Sequence, residues 1–172
     1  MNKLKHLIPL VAIGIFAACS PATQTTEQAK SLDSSAVSNQ PDSISSLSAK
    51  MFIAGEQQLS KPIEMTFTVY NNTDSALPFC KWHTPFEALM SKYLDINSVD
   101  GKEVSYKGPM AKRIMPPPAD SYISVAAKDS LSIKVDLTRG YDFNRAGTYI
   151  VGYNSTNISG LKLTDSVKFT LK

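Results

Sequence analysis

The sequence predicts an all-β domain built as an antiparallel sandwich, and three observations carry that reading. Apolar and polar residues alternate with a period of two in five separate stretches, as strands with one buried face require. Clusters of Asn, Asp, Gly and Pro fall between those stretches and mark turns. No useful length of chain carries apolar residues at helical spacing, although Pro85 to Met90 is compatible with a single turn.

The strands follow in order. Leu47, Ala49, Met51 and Ile53 alternate with Ser48, Lys50 and Phe52. Ile63, Met65, Phe67 and Val69 face opposite to Glu64, Thr66 and Thr68. Leu131, Ile133, Val135 and Leu137 form a third stripe, Tyr149, Val151 and Tyr153 a fourth, and Val167, Phe169 and Leu171 a fifth. Weaker candidates lie at Tyr93 to Asn97, Val104 to Tyr106 and Tyr122 to Ala126. Turns are expected at Asn71 to Asp74, Asp100-Gly101, Lys107 to Pro109, Pro116 to Pro118 and Arg145 to Gly147. About seven to nine short strands over residues 47–172 fit an immunoglobulin-like antiparallel β-sandwich.

The N-terminus reads differently. Lys3, Lys5 and His6 precede an apolar stretch from Leu7 to Ala18, too short for the roughly 20 residues of a membrane-spanning helix. Residues 1–18 are therefore expected to be a signal peptide. Phe16-Ala17-Ala18-Cys19 resembles a lipobox, so Cys19 is the expected lipidation site and the new N-terminus. Residues 19–46 are mostly Ser, Thr, Gln, Ala and Asp, too poor in apolar surface to offset ordering entropy, and are expected to be a flexible tether. Together these features place the chain on a bacterial cell envelope, lipid-anchored, with Ser20 directing it to the outer membrane.

Composition excludes several classes. Removing the signal takes away two lysines and leaves a net charge of about +1, with no basic face for nucleic acid. Beyond that signal the chain has one histidine, His83, so neither a two-histidine zinc helix nor a phosphate-cradling glycine loop or nucleophile elbow can be read. No catalytic residue, cofactor or metal site is assigned. Cys80 lies in the apolar run Ala76 to Cys80 and reads as a small core residue. One metal alternative stays open: Cys80 and His83 are spaced as half a zinc or copper site, with Met90, Met110 and Met115 as soft ligands.

Three segments carry a more specific signal. They are Lys81-Trp82-His83-Thr84-Pro85-Phe86-Glu87; Asp100 to Arg113, containing Gly108-Pro109-Met110-Ala111-Lys112-Arg113; and Val135 to Leu137 followed by Tyr141-Asp142-Phe143 and Ala146 to Tyr149. In this order they resemble the N-terminal pro-domain of deuterolysin-like zinc endopeptidases, the aspzincins, over about residues 47 to 155. In that family a protease domain follows the pro-domain, whereas here the chain stops at Lys172 after its last strand.

The resemblance implies a non-enzymatic inhibitor or folding helper of a secreted zinc metalloprotease, tethered to a membrane through its lipid anchor. The partner-binding residues expected are Trp82, His83, Thr84, Pro85, Lys112 and Arg113. Trp82 is read either as an interface anchor or as a plug of the sandwich core. Lys112 and Arg113 are read either as cations offered to a protease that prefers lysine or as a solvated loop. His83 is read as a turn-stabilising hydrogen-bonding group or as a residue approaching the partner's zinc. Two other functions stay open: a tethered structural or adhesive module, and a periplasmic metal carrier.

Overall fold

The computed structural model describes residues 47–172, and these form nine strands with a few short helical turns. The strands are β1 (Leu47–Ile53), β2 (Glu56–Gln57), β3 (Glu64–Asn71), β4 (Leu77–Cys80), β5 (Leu94–Ser98), β6 (Tyr122–Val125), β7 (Ser130–Asp136), β8 (Gly147–Tyr153) and β9 (Val167–Leu171). One sheet has the order β1-β3-β7, the other β2-β9-β8-β5, and β4 and β6 make a separate two-stranded ribbon. All pairings are antiparallel except β2 with β9. The all-β sandwich expected from the alternation is the fold observed.

The period-two pattern explains why the sheets pack. Met65, Phe67 and Val69 of β3 are fully buried, while Thr66 and Thr68 lie on the other face, half-buried. From the opposing sheet, Leu94, Ile96, Val151, Phe169 and Leu171 complete the core. Removing side chains of this size from water contributes about 1.5–3 kcal/mol each, which offsets the backbone ordering that strands demand.

Two tyrosines lock the loops to this core. Tyr149 is buried, stacks on Phe169 with centroids 5.6 Å apart, and donates its hydroxyl to the Arg145 carbonyl at 2.7 Å. Tyr141 donates to the Leu94 carbonyl at 3.0 Å and accepts from the Leu94 N–H at 3.2 Å. Both rings are buried.

Some elements differ from expectation for identifiable reasons. The strand expected at Val104 to Tyr106 is only a pair of isolated bridges, Asn97 to Glu103 and Tyr106 to Tyr141. The apolar run at Leu77–Cys80 is strand β4, its alternation broken where Phe79 and Cys80 are both buried, with Pro78 exposed as suits a ribbon edge. Strand β2 is two residues held by β9, and helix α1 (Thr156–Ser159) is four residues; neither is long enough to show a period. The expected signal peptide, the expected tether and the expected lipidation site Cys19 lie outside the described residues.

Candidate partner-binding site

After β4 the chain folds into a tight turn that its own side chains close. The Thr84 hydroxyl donates to the Lys81 carbonyl at 2.6 Å and accepts from the Phe86 N–H at 3.2 Å. It thereby caps a 3₁₀ turn at Pro85–Glu87, with Pro85 in the first position, where a missing N–H costs nothing. His83 takes a left-handed conformation, φ 57°, and its N–H donates to Glu87 Oε1 at 2.7 Å. Its carbonyl accepts from the Tyr153 hydroxyl at 3.0 Å. Desolvation pushes that phenol up to about 12, against a lowering by its hydrogen bond to Ser159.

The electrostatics follow from burial. The His83 imidazole is held below its usual 6.5, mainly by desolvation, with Glu87 opposing and Arg113 adding to the shift. The Cys80 thiol is raised by burial, against a lowering from the Trp82 backbone N–H. Among the described residues, no group of three or more His, Cys, Asp or Glu side chains is placed to hold a metal ion.

The second segment, 107–118, is an irregular strap braced at several points. The Tyr106 hydroxyl lies 2.7 Å from the Leu89 carbonyl and 2.8 Å from that of Pro109, sharing one proton between them. A Cβ at Gly108 would sit 2.5 Å from that hydroxyl, so any other residue there must displace the Tyr106 ring. The Ala111 N–H donates to the Met90 carbonyl at 2.9 Å. Arg113 pairs with Glu87 Oε2 and lies over Trp82, 4.8 Å from the ring centroid.

Between those braces the strap is exposed. Lys112 faces solvent, Ile114 is 84% exposed, Met110 68% and Met115 64%. Single exposed apolar residues are ordinary, but several on one held segment form the kind of apolar surface that marks contact sites.

The structure thus gathers five of the six expected residues, Trp82, His83, Thr84, Pro85 and Arg113, into one cluster around Glu87. Within it Thr84 and Pro85 are buried and Trp82 is 7% exposed, so the cluster is chiefly a brace. Lys112 stands apart, pointing outward. The sequence reading gave no role to Glu87 or Ile114, and considered Met110 and Met115 only as soft metal ligands. The signal for the last three was available: apolar residues beside a proline run, in a stretch with neither helical nor strand period, have no evident place in the core.

Comparison with known proteins places this geometry in context. A family model for the immunoglobulin-like domain matches residues 50–145. The chain is 29% identical over 130 residues to a probable neutral protease 2 homolog of Arthroderma otae, covering 70% of this chain and 34% of that protein. It is also 29% identical over 106 residues to a probable neutral protease 2 homolog B of Trichophyton rubrum, with 54% and 28% covered. A neutral protease 2 homolog of Arthroderma gypseum matches at 29% over 110 residues, with 63% and 28% covered. The chain therefore spans 28–34% of the length of these relatives.

These relatives are fungal, and that finding corrects one expectation. A lipid-anchored place in a bacterial cell envelope, at the outer membrane, does not agree with similarity to proteins of Arthroderma and Trichophyton. The lipobox-like residues that suggested it lie outside the described structure. Small residues before a cysteine form a short motif that arises readily by chance. The similarity extends over 130 residues and carries more weight. With the sandwich observed and the family model matching more than half its length, the chain belongs to the immunoglobulin-like domain family.

Proposed function

We propose that this domain is a non-catalytic binding partner of a neutral-protease-2-type zinc metalloprotease, holding it inactive or assisting its folding. The observation that carries the proposal is the strap from Met110 to Met115, whose apolar side chains are exposed on a backbone pinned by Tyr106, Met90 and Glu87. A pinned segment loses little conformational entropy on association, so more of the contact energy becomes affinity. Burying Ile114 against a partner contributes about 1.5–3 kcal/mol, on the order of tenfold or more in affinity. Lys112, beside it, supplies a cation for a lysine-preferring cleft. The similarity to neutral protease 2 homologs supports the choice of partner.

The test is a titration of the full chain into the neutral protease 2 homolog of Arthroderma otae while peptide hydrolysis and refolding yield are followed. Stoichiometric loss of activity, or a raised yield of active enzyme on refolding, supports the proposal. Neither effect at large molar excess of folded chain rejects it.

A further inference from the structure

The hydrogen-bond parity of β7 singles out its outer edge. The Leu137 N–H donates to the Ile63 carbonyl at 2.9 Å, and the Asn71 N–H donates to the Asp129 carbonyl at the same distance. Both pairs sit on the register that matches Met65 with Val135 and Phe67 with Ile133. In an antiparallel ladder opposed residues alternate between bonded and unbonded pairs, so Leu131, Ile133 and Val135 spend their backbone groups on β3. Those of Ser132, Lys134 and Asp136 point the other way. No strand pairs with that edge among the described residues.

What lies beside the edge is a groove. A cavity of about 320 Å³ runs between β7 and the segment after the Pro85 turn, with Leu89, Met90 and Pro109 on its apolar wall. Lys134 and Arg139 lie at its border. Lys134 is engaged with Glu64 at 2.7 Å, whereas Arg139 has no ion-pair partner among the described residues. The wall is continuous with the strap, since Met90 holds Ala111.

We infer that this groove receives an extended segment of the protease, which adds to the sheet as a strand beside β7. This rests on the protease reading above and extends it to a second contact. The outward backbone groups from Ser132 to Asp136 span about 13 Å, enough for a short strand and its ladder. Apolar side chains of the incoming segment face Leu89, Met90 and Pro109, and a carboxylate at one end meets Arg139. Pairing between two copies of this chain is disfavoured by Lys134, because two β7 edges brought together set like charges near each other across the ladder.

The experiment measures residue-resolved amide exchange in the full chain, free and saturated with the Arthroderma otae protease inactivated by metal removal. Exchange at Ser132 and Lys134 slows by about tenfold or more on binding, while Ile133 and Val135, already bonded to β3, change less. Lys134→Pro, which removes an outward N–H, weakens binding about tenfold, whereas Lys134→Ala stays within about twofold. The exchange readout stands on the unsubstituted chain even where the proline variant fails to fold. Binding with unchanged exchange at Ser132 and Lys134 overturns the strand pairing alone. Absence of any binding overturns the protease reading with it. Protection that grows with chain concentration without protease overturns the choice of occupant in favour of a second copy.

Discussion

Arg113 stands over Trp82, its guanidinium carbon 4.8 Å from the ring centroid, while one of its terminal nitrogens pairs with the carboxylate of Glu87. The Glu87 side chain is 8% exposed and that of Arg113 23%, so the pair is shielded from the water that weakens surface ion pairs. Glu87 also accepts from the His83 N–H. One carboxylate thus ties the strap to the turn after β4. The neighbouring cation, Lys112, has no such role and faces solvent.

The two cations should therefore separate on substitution. Arg113→Ala leaves a shielded carboxylate without its counter-ion and uncovers Trp82; the expected loss is about 1–3 kcal/mol of stability. Lys112→Ala removes an exposed side chain and should stay within about 0.5 kcal/mol. Urea unfolding of the two variants checks this. Equal midpoints would mean that the Arg113 to Glu87 pair contributes nothing to the fold.

Binding should divide differently. Ile114→Ser exposes nothing new in the free domain, because Ile114 is already 84% exposed, and its melting temperature should match the unsubstituted chain. Its affinity for the protease should fall about tenfold, the worth of one buried aliphatic anchor. Calorimetry on both quantities checks the pair of outcomes. Unchanged affinity would remove the strap from the interface.

A pH effect follows from His83. Burial holds its folded-state value below 6.5, the value it takes in an unfolded chain. Below 6.5 the unfolded state therefore binds more protons, so this contribution to stability is complete above 6.5 and is lost as pH falls toward the folded value. The melting temperature should drop between about pH 7.5 and 5.5. His83→Asn should flatten that drop. Asparagine tolerates the left-handed backbone at this position, which alanine does not. An identical pH profile for the variant would show that His83 is not the titrating group.

The fold was legible where one face of a strand is buried and the other wet, because that contrast is written residue by residue. Met65, Phe67 and Val69 announce β3 in this way, and Tyr149 and Val151 announce β8. It was not legible at β2 or β4, which are held by β9 and β6 and carry no local alternation. The site was legible as a pair of segments, since Trp82 to Pro85 and Lys112-Arg113 do lie in two elements that touch. Their division of labour was not. Which cation folds back depends on where Glu87 stands, 26 residues from Arg113, and spacing along the chain says nothing about that. The open edge of β7 was likewise invisible, because a strand's alternation does not reveal which neighbours it has.

The most demanding test of the core concerns Asn71, a polar residue 1% exposed at the end of β3. Its amide nitrogen donates to the carbonyls of Ser75, Val125 and Ala126, at 2.8, 3.0 and 3.0 Å. Its amide oxygen accepts from the Thr73 N–H at 3.0 Å and from the Thr73 hydroxyl at 2.7 Å. One side chain therefore closes the turn after β3 and fastens it to the end of β6. An amide has two N–H groups, so the three carbonyls share two protons, and the Ser75 carbonyl also accepts from the Thr73 hydroxyl at 2.9 Å. Asn71→Ala should lower stability by about 2–3 kcal/mol, more than deleting an exposed polar group. Asn71→Asp should cost at least as much, because the carboxylate oxygen that replaces the amide nitrogen has no proton to offer the three carbonyls when ionised. Urea unfolding of both variants at pH 7 checks the order. If alanine proves harmless, the turn is held by its backbone alone and the amide network is incidental to the fold.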